Sequence, residues 1–179
     1  MRRTDREVKD INEIRQILDE AKIMRLGLFD GDFPYVVPLH YGYELQDGIL
    51  TFYAHGAKEG HKIDLIKANP VACVELDCDV ELIEAGDVAC GYGSTFSSVI
   101  ARGKVELVTD ADEKVHGLKV LMRHQTGREF EMNEKMAAAV AVLKFTSTDF
   151  TAKPERNRES GWGLRQFCLR TPMDGRRYL

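Results

Sequence analysis

The stretch His55-Gly56-Ala57-Lys58-Glu59-Gly60-His61-Lys62 decides how this chain is read, because a strand-like run leads into it and a helix-like run leaves it. Ile49 to Ala54 is apolar and aromatic enough for a strand, and Ile63 to Ala68 has helical spacing until Asn69-Pro70 stops it. Two glycines allow a tight backbone turn, so that amide N–H groups at a helix start can face one guest, with Lys58, His61 and Lys62 adding positive charge. A phosphate fits that description. A polar strand-to-helix loop with solvated lysines is the plain alternative, and the rest of the chain has to decide between them.

The flanking segments predict a β-rich body. Asp47-Gly48 has the chemistry of a two-residue primed turn and predicts a hairpin joining Ile49–His55 to a longer strand, Tyr35 to Glu44, in which Pro38 implies an edge. Before it, Asp30-Gly31-Asp32 reads as a turn after a short strand, Met24 to Phe29. Thr4 with Glu7 three residues on reads as a capping box, opening a first helix whose Val8, Ile11, Ile14, Leu18 and Ala21 share a face.

After Pro70 the pattern predicts a strand at Val71–Leu76, an acidic segment Asp77–Asp87 that is strand or loop, and a long strand Ser97–Val108. Asp110 and Gly127 bracket a second helix with apolar Val115, Leu118, Leu121 and Met122, expected on the outside of a barrel. Glu134–Ala139 reads as a further helical turn or two, and Val140–Thr146 as the last strand. The expected fold is mostly β with flanking helices: an antiparallel split β-barrel of about six strands, joined by hairpins rather than crossovers. One domain, residues 1–152, would carry it, followed by a basic irregular tail, 153–179.

Composition narrows the function. The chain has 179 residues, 44% of them hydrophobic, and a formal charge of -4, which argues against nucleic-acid binding through bulk electrostatics. From Lys153 to Leu179 there are seven Lys/Arg against three Asp/Glu, a local +4 that leaves -8 on the first 152 residues. No apolar run approaches the roughly 18 residues of a membrane span, and no apolar h-region follows the charged N-terminus. Cys73, Cys78, Cys90 and Cys168 match no paired zinc spacing, so a reducing cytoplasm is the expected compartment, with Cys73 packed in the core.

Other chemistries find little support. Gly91-Tyr92-Gly93-Ser94-Thr95-Phe96 lacks the third glycine of a dinucleotide fingerprint and sits in no strand-helix-strand unit. His116 and His124 are expected on the surface of the second helix. His40 and His55 could face each other across the Asp47-Gly48 hairpin, but no third metal ligand is evident, so no metal site is expected. No Gly-x-Ser-x-Gly elbow is present.

Tyr35-Val36-Val37-Pro38-Leu39-His40-Tyr41-Gly42-Tyr43, the run Thr51 to Ile66, Asn69-Pro70, Cys90-Gly91-Tyr92-Gly93 and Ser98-Val99-Ile100 together resemble the nitroimidazole-resistance family. That family belongs to the pyridoxamine 5'-phosphate oxidase-like, FMN-binding split-barrel proteins, and the resemblance covers roughly Arg3 to Lys153. It implies FMN as cofactor, with the phosphate held by Lys62 beside the Gly56-Ala57 backbone and His61. It places the isoalloxazine ring along Val37-Pro38-Leu39-His40 and the Ser98-Val99 strand, with sites completed at a homodimer interface. Trp162 in the tail resembles the aromatic that covers the flavin in some relatives; packing the tail onto the barrel is its other reading. His55 matches a family histidine and would either hydrogen-bond the cofactor or act as a general acid. The function implied is an FMN-dependent reductase taking electrons from a donor such as NAD(P)H and reducing a nitroimidazole or quinone. A haem- or deazaflavin-binding barrel and a non-catalytic flavin sensor are the alternatives.

Overall fold

A computed structural model describes residues 7–153. Thr4, Trp162, Cys168 and the basic tail lie outside the described residues. Seven strands form one antiparallel sheet: β1 (Ile23–Asp30), β2 (Phe33–His40), β3 (Gly42–Gln46), β4 (Ile49–Gly56), β5 (Val71–Ile83), β6 (Gly93–Leu107) and β7 (Ala141–Lys153). Their order across the sheet is β2-β1-β5-β6-β7-β4-β3. The helices are α1 (Ile11–Glu20), α2 (His61–Ala68), α3 (Ala111–Thr126) and the short α4 (Glu134–Ala137).

The predicted strand Tyr35–Glu44 is two strands, and the break between them makes the barrel split. β2 and β3 are the two opposite edges of the sheet, yet only Tyr41 separates them in the chain. The ladder is therefore open while the covalent chain crosses the gap. Tyr41 and Gly42 are both buried, which breaks the period-2 alternation of a single strand. The Tyr41 hydroxyl donates to the carbonyls of Leu18 at 2.8 Å and Ala21 at 3.0 Å, tying the gap to the C-terminal end of α1. On the other side, a Cβ at Gly42 would stand 2.5 Å from backbone atoms of Leu121, so α3 lies directly on the chain there. Pro38 sits on edge strand β2, where its missing N–H costs no ladder bond. The hairpin at Asp47-Gly48 forms as the sequence implies, both residues at positive φ (52° and 76°).

Other boundaries move for identifiable reasons. The first helix begins at Ile11, not near Thr4: Asp10 accepts from the Asn12 N–H at 2.8 Å as its cap. Val8 is extended, bridging to Ala152 with its N–H on the Ala152 carbonyl at 3.0 Å. β7 runs on past Thr148 to Lys153, because Phe150 and Ala152 continue the inward-facing set against β6. Ser147 absorbs the register shift, donating to the Arg102 carbonyl at 2.6 Å. The acidic segment continues β5 as far as Ile83, with an irregularity at Asp79 (φ 57°).

Met24, Leu26 and Leu28 of β1, Ala72, Val74 and Leu76 of β5, and Val99 and Ala101 of β6 fill the interior with Phe52 and Phe145. The outer face of β2-β1-β5-β6 carries Val36, Phe29, Val71 and Ile100, all exposed, together with ion pairs from Arg25 to Glu75 and Asp77. Cys73 belongs to this outer face and is exposed, contrary to the core role expected of it, because it alternates with buried Ala72 and Val74. The outer face of β4 and β7 is covered instead by α3, where Tyr53, Val108, Val120 and Val142 form a second cluster.

α3 is capped as predicted, by the Asp110 carboxylate on the Glu113 N–H at 2.8 Å and by Gly127 at φ 67°. His124, expected on the surface, is partly buried: its ring stacks on Tyr41 at 4.6 Å and Nε2 donates to the Ala21 carbonyl at 3.1 Å. Burial lowers its pKa from the ordinary 6.5, outweighing the Ala21 hydrogen bond. A depressed histidine pKa means that the folded state prefers the neutral ring. Its contribution is present above the unfolded value and is lost as pH falls through the folded one. Thermal unfolding from pH 7.5 downward is therefore expected to lose stability more steeply in wild type than in His124→Gln, by at most about 1.4 kcal/mol per pH unit. Parallel slopes for the two proteins would remove His124 from the acid response.

Candidate functional site

The strand-to-helix loop is built as its glycines require. Gly60 caps α2 at φ 119°, a conformation that L side chains rarely adopt, and no side chain caps the helix. The Gly60 carbonyl accepts from Ile63 N at 2.8 Å and Asp64 N at 3.2 Å, which leaves the His61 and Lys62 N–H groups at the helix start without an intrahelical acceptor. Lys62 folds back over the end of β4: a Cβ on Gly56 would stand 2.8 Å from its Nζ. Glycine at 56 thus makes the room in which the ammonium rests, and Lys62 forms no ion pair among the described residues. The loop thus carries a helix N-terminus with two amides lacking intrahelical acceptors and a lysine without an ion pair among the described residues, the kinds of group that bind an anion.

His61 is differently occupied. Its Nε2 is 2.6 Å from Asp30 Oδ2, and its ring meets Tyr35 edge-on at 5.2 Å. These contacts dock the helix start against the β1–β2 hairpin. Asp30 and Tyr35 are contacts of the candidate site that sequence reasoning missed; Asp30 looked like a turn residue and nothing local marked its partner.

His55 stands at the end of β4, paired across the ladder with Val142 rather than facing His40, which lies on β2 and pairs with Ile23 of β1. It is exposed, and its imidazole makes no hydrogen bond among the described residues. Gly56 and exposed Ala57 follow it directly.

The residues expected to line a ring divide by face. On β2, Pro38 and His40 are exposed on the outer side, whereas Val37 and Leu39 pack against the core and present only backbone to the outside of the sheet. On β6, Ser98 pairs with Asp77 and is buried at 8% exposure, and Val99, 1% exposed, belongs to the interior. β1 and β5 lie between β2 and β6, so the two ring-lining strands are three strand spacings apart, roughly 14 Å within one chain. The structure brings the loop to the Tyr35 end of β2 but does not bring Ser98 to Pro38. Trp162 lies outside the described residues.

Among the described residues, no cluster of three or more His, Cys, Asp or Glu side chains could hold a metal ion, and no helix is long and apolar enough to cross a membrane. A cleft of about 380 Å³ lies between α1, β3 and α3, lined by Arg15, Asp19, Lys22, Tyr43, Val120, Arg123 and His124, none of them a residue of the loop at Gly56.

A family model described as pyridoxamine 5'-phosphate oxidase matches residues 10–154. Among solved structures, a candidate 5-nitroimidazole antibiotic resistance protein from Bacteroides thetaiotaomicron is similar at 32% identity, over 82% of this chain and 85% of that one, with a TM-score of 0.70. An FAD-binding protein from Mesorhizobium loti is similar at 25% identity, over 85% of this chain and 98% of that one, with a TM-score of 0.56. The flavocytochrome Anf3 from Azotobacter vinelandii shares the fold at 21% identity, over 89% of this chain and 75% of that one, with a TM-score of 0.67. No curated protein matches the chain.

Proposed function

The chain belongs to the pyridoxamine 5'-phosphate oxidase family over residues 10–154, and from that premise we propose that it is a cytoplasmic, homodimeric FMN-dependent reductase of small oxidised acceptors. The observation that carries the cofactor reading is the Lys62 ammonium held over Gly56, without an ion pair among the described residues, on a helix whose first amides have no intrahelical acceptor. A phosphate monoester supplies the charge and the acceptor oxygens that this cradle lacks. The similarity to the Bacteroides protein, at 32% identity, supports an acceptor of the nitroimidazole kind, with quinones as the wider class.

Bound flavin would supply two-electron redox chemistry at its ring. The chain's own part is to hold and to place. Lys62 and the His61–Lys62 amides fix the phosphate end. The Asp30–His61 contact holds the helix start against β2, so the rest of the ligand is led along Val36 to His40. His55, whose imidazole makes no hydrogen bond among the described residues, would either donate one to the cofactor or pass a proton to the acceptor. A donor such as NAD(P)H would dock transiently on the exposed side.

The absorption spectrum of the purified protein tests this directly. Flavin bands, with FMN released on denaturation, are expected. A Soret band would replace the cofactor with haem, and bound flavin that reduces neither a nitroimidazole nor a quinone would make the protein a sensor.

The dimer has its own support. A site lined by both β2 and β6 needs two copies, since β1 and β5 separate these strands in one chain. The exposed Phe29, Val36, Val71 and Ile100 offer the apolar outer face that such a copy would cover. A stable interface should bury well over roughly 1,000 Å². Light scattering at low micromolar concentration is expected to give twice the 20.3 kDa chain mass. A monomer that keeps its FMN would defeat the shared-site model.

A further inference from the structure

We infer that Gln125 on α3 is a positioning residue that fixes the tautomer of His40, so that His40 Nε2 is offered to a bound ligand as a hydrogen-bond acceptor. The orientation of the Gln125 amide is determined by its neighbours. Gln125 Nε2 donates to the Tyr41 carbonyl at 2.7 Å and to the Lys22 carbonyl at 3.1 Å. Exchanging the amide O and N would set an oxygen against two carbonyl oxygens, a repulsive arrangement in a part-buried place. The Gln125 oxygen must therefore be Oε1, and it lies 3.1 Å from His40 Nδ1. The Lys22 carbonyl is 3.3 Å from the same nitrogen.

Both groups facing His40 Nδ1 are pure acceptors, so Nδ1 carries the proton. A neutral imidazole has only one, which leaves Nε2 as a lone pair. His40 is exposed at the end of edge strand β2, on the same outer side as Pro38. A ligand lying along this strand meets an acceptor there, and it is matched by an N–H donor. Under the flavin reading proposed above, on which this half of the inference rests, the matching group is the imide N3–H of the isoalloxazine ring. The α3 helix thus reaches the ligand strand through a single amide, across the gap that splits the barrel between β2 and β3.

Two measurements separate the halves. The first uses the full-length protein without ligand, labelled with [15N]histidine, with the His40 signals assigned by their loss in His40→Gln. Long-range proton–nitrogen correlation in the neutral ring is expected to show Nδ1 protonated and Nε2 bare, the tautomer less favoured in free histidine. In Gln125→Leu the preference is expected to weaken toward the Nε2–H form, while His55 and His116 keep their own patterns. A wild-type His40 in the Nε2–H form would overturn the positioning role, whatever the protein binds.

The second measurement compares riboflavin with 3-methylriboflavin, which lacks the imide proton. Wild type is expected to bind the methylated ring about 3- to 10-fold more weakly, and His40→Phe to bind the two within about 2-fold of each other. Equal affinities in wild type would overturn the acceptor role of His40 while leaving the function intact. Failure to bind either flavin would overturn the function and the ligand half together, with the tautomer still decided by the first measurement.

Discussion

Replacing Lys62 by alanine is expected to weaken FMN binding about 10- to 100-fold while leaving riboflavin within about 3-fold of wild type. The size follows from the kind of bond removed: a charge-assisted hydrogen bond contributes roughly 1.5–3 kcal/mol, and among the described residues no carboxylate pairs with the ammonium over Gly56. His61 does not substitute for it, because its Nε2 is already engaged by Asp30 at 2.6 Å. Riboflavin shares the ring and ribityl chain but has no phosphate, so the ratio of the two losses isolates the phosphate contact from any general disturbance of the loop. Fluorescence titration of both ligands into wild-type and mutant apoprotein measures that ratio. Equal weakening of the two would show that Lys62 does not touch phosphate. The effect should also shrink as salt is raised, since the group is half-exposed.

The second large effect is expected at His55. If its imidazole protonates the acceptor, His55→Gln should bind FMN nearly as wild type does yet reoxidise with a nitroimidazole or quinone about 10²- to 10⁴-fold more slowly. Glutamine keeps a hydrogen-bonding group and cannot act as an acid near neutral pH, so the substitution separates the two roles. His55 is exposed, adjoins Gly56 and makes no side-chain hydrogen bond among the described residues. Photoreducing the flavin and following its reoxidation by stopped flow reads the step without the natural donor. Unchanged reoxidation with weaker FMN would assign His55 to cofactor binding, and no change in either would take it out of the site.

Local chemistry in the sequence was enough to determine the elements whose signals are short in range. The Asp47-Gly48 turn, the Asp110 and Gly127 caps of α3, the edge position of Pro38 and the strand–glycine loop–helix order around His55 all depend on one residue's φ, hydrogen-bonding group or missing N–H. Such preferences act within a few residues and survive whatever the remainder of the chain does. The antiparallel β class followed from them, and so did Lys62 as the cation of the loop.

What tertiary structure alone decided are facts about partners distant in sequence. Tyr35–Glu44 looked like one strand because its residues all favour extended backbone; it divides at Tyr41 because α1 and α3 close on that point from 20 to 80 residues away. Cys73 and His124 exchanged their expected surroundings for the same reason. A period-2 pattern tells which residues share a face without saying which face a helix will cover, and α3 covers β4 and β7 while the outer side of β2-β1-β5-β6 stays open. Asp30 reaches His61 across 31 positions and Gln125 reaches His40 across 85, pairings that carry no local signature. The sequence could name the basic groups of the loop; only the folded sheet could set which partners surround each histidine and which strands a single chain holds apart.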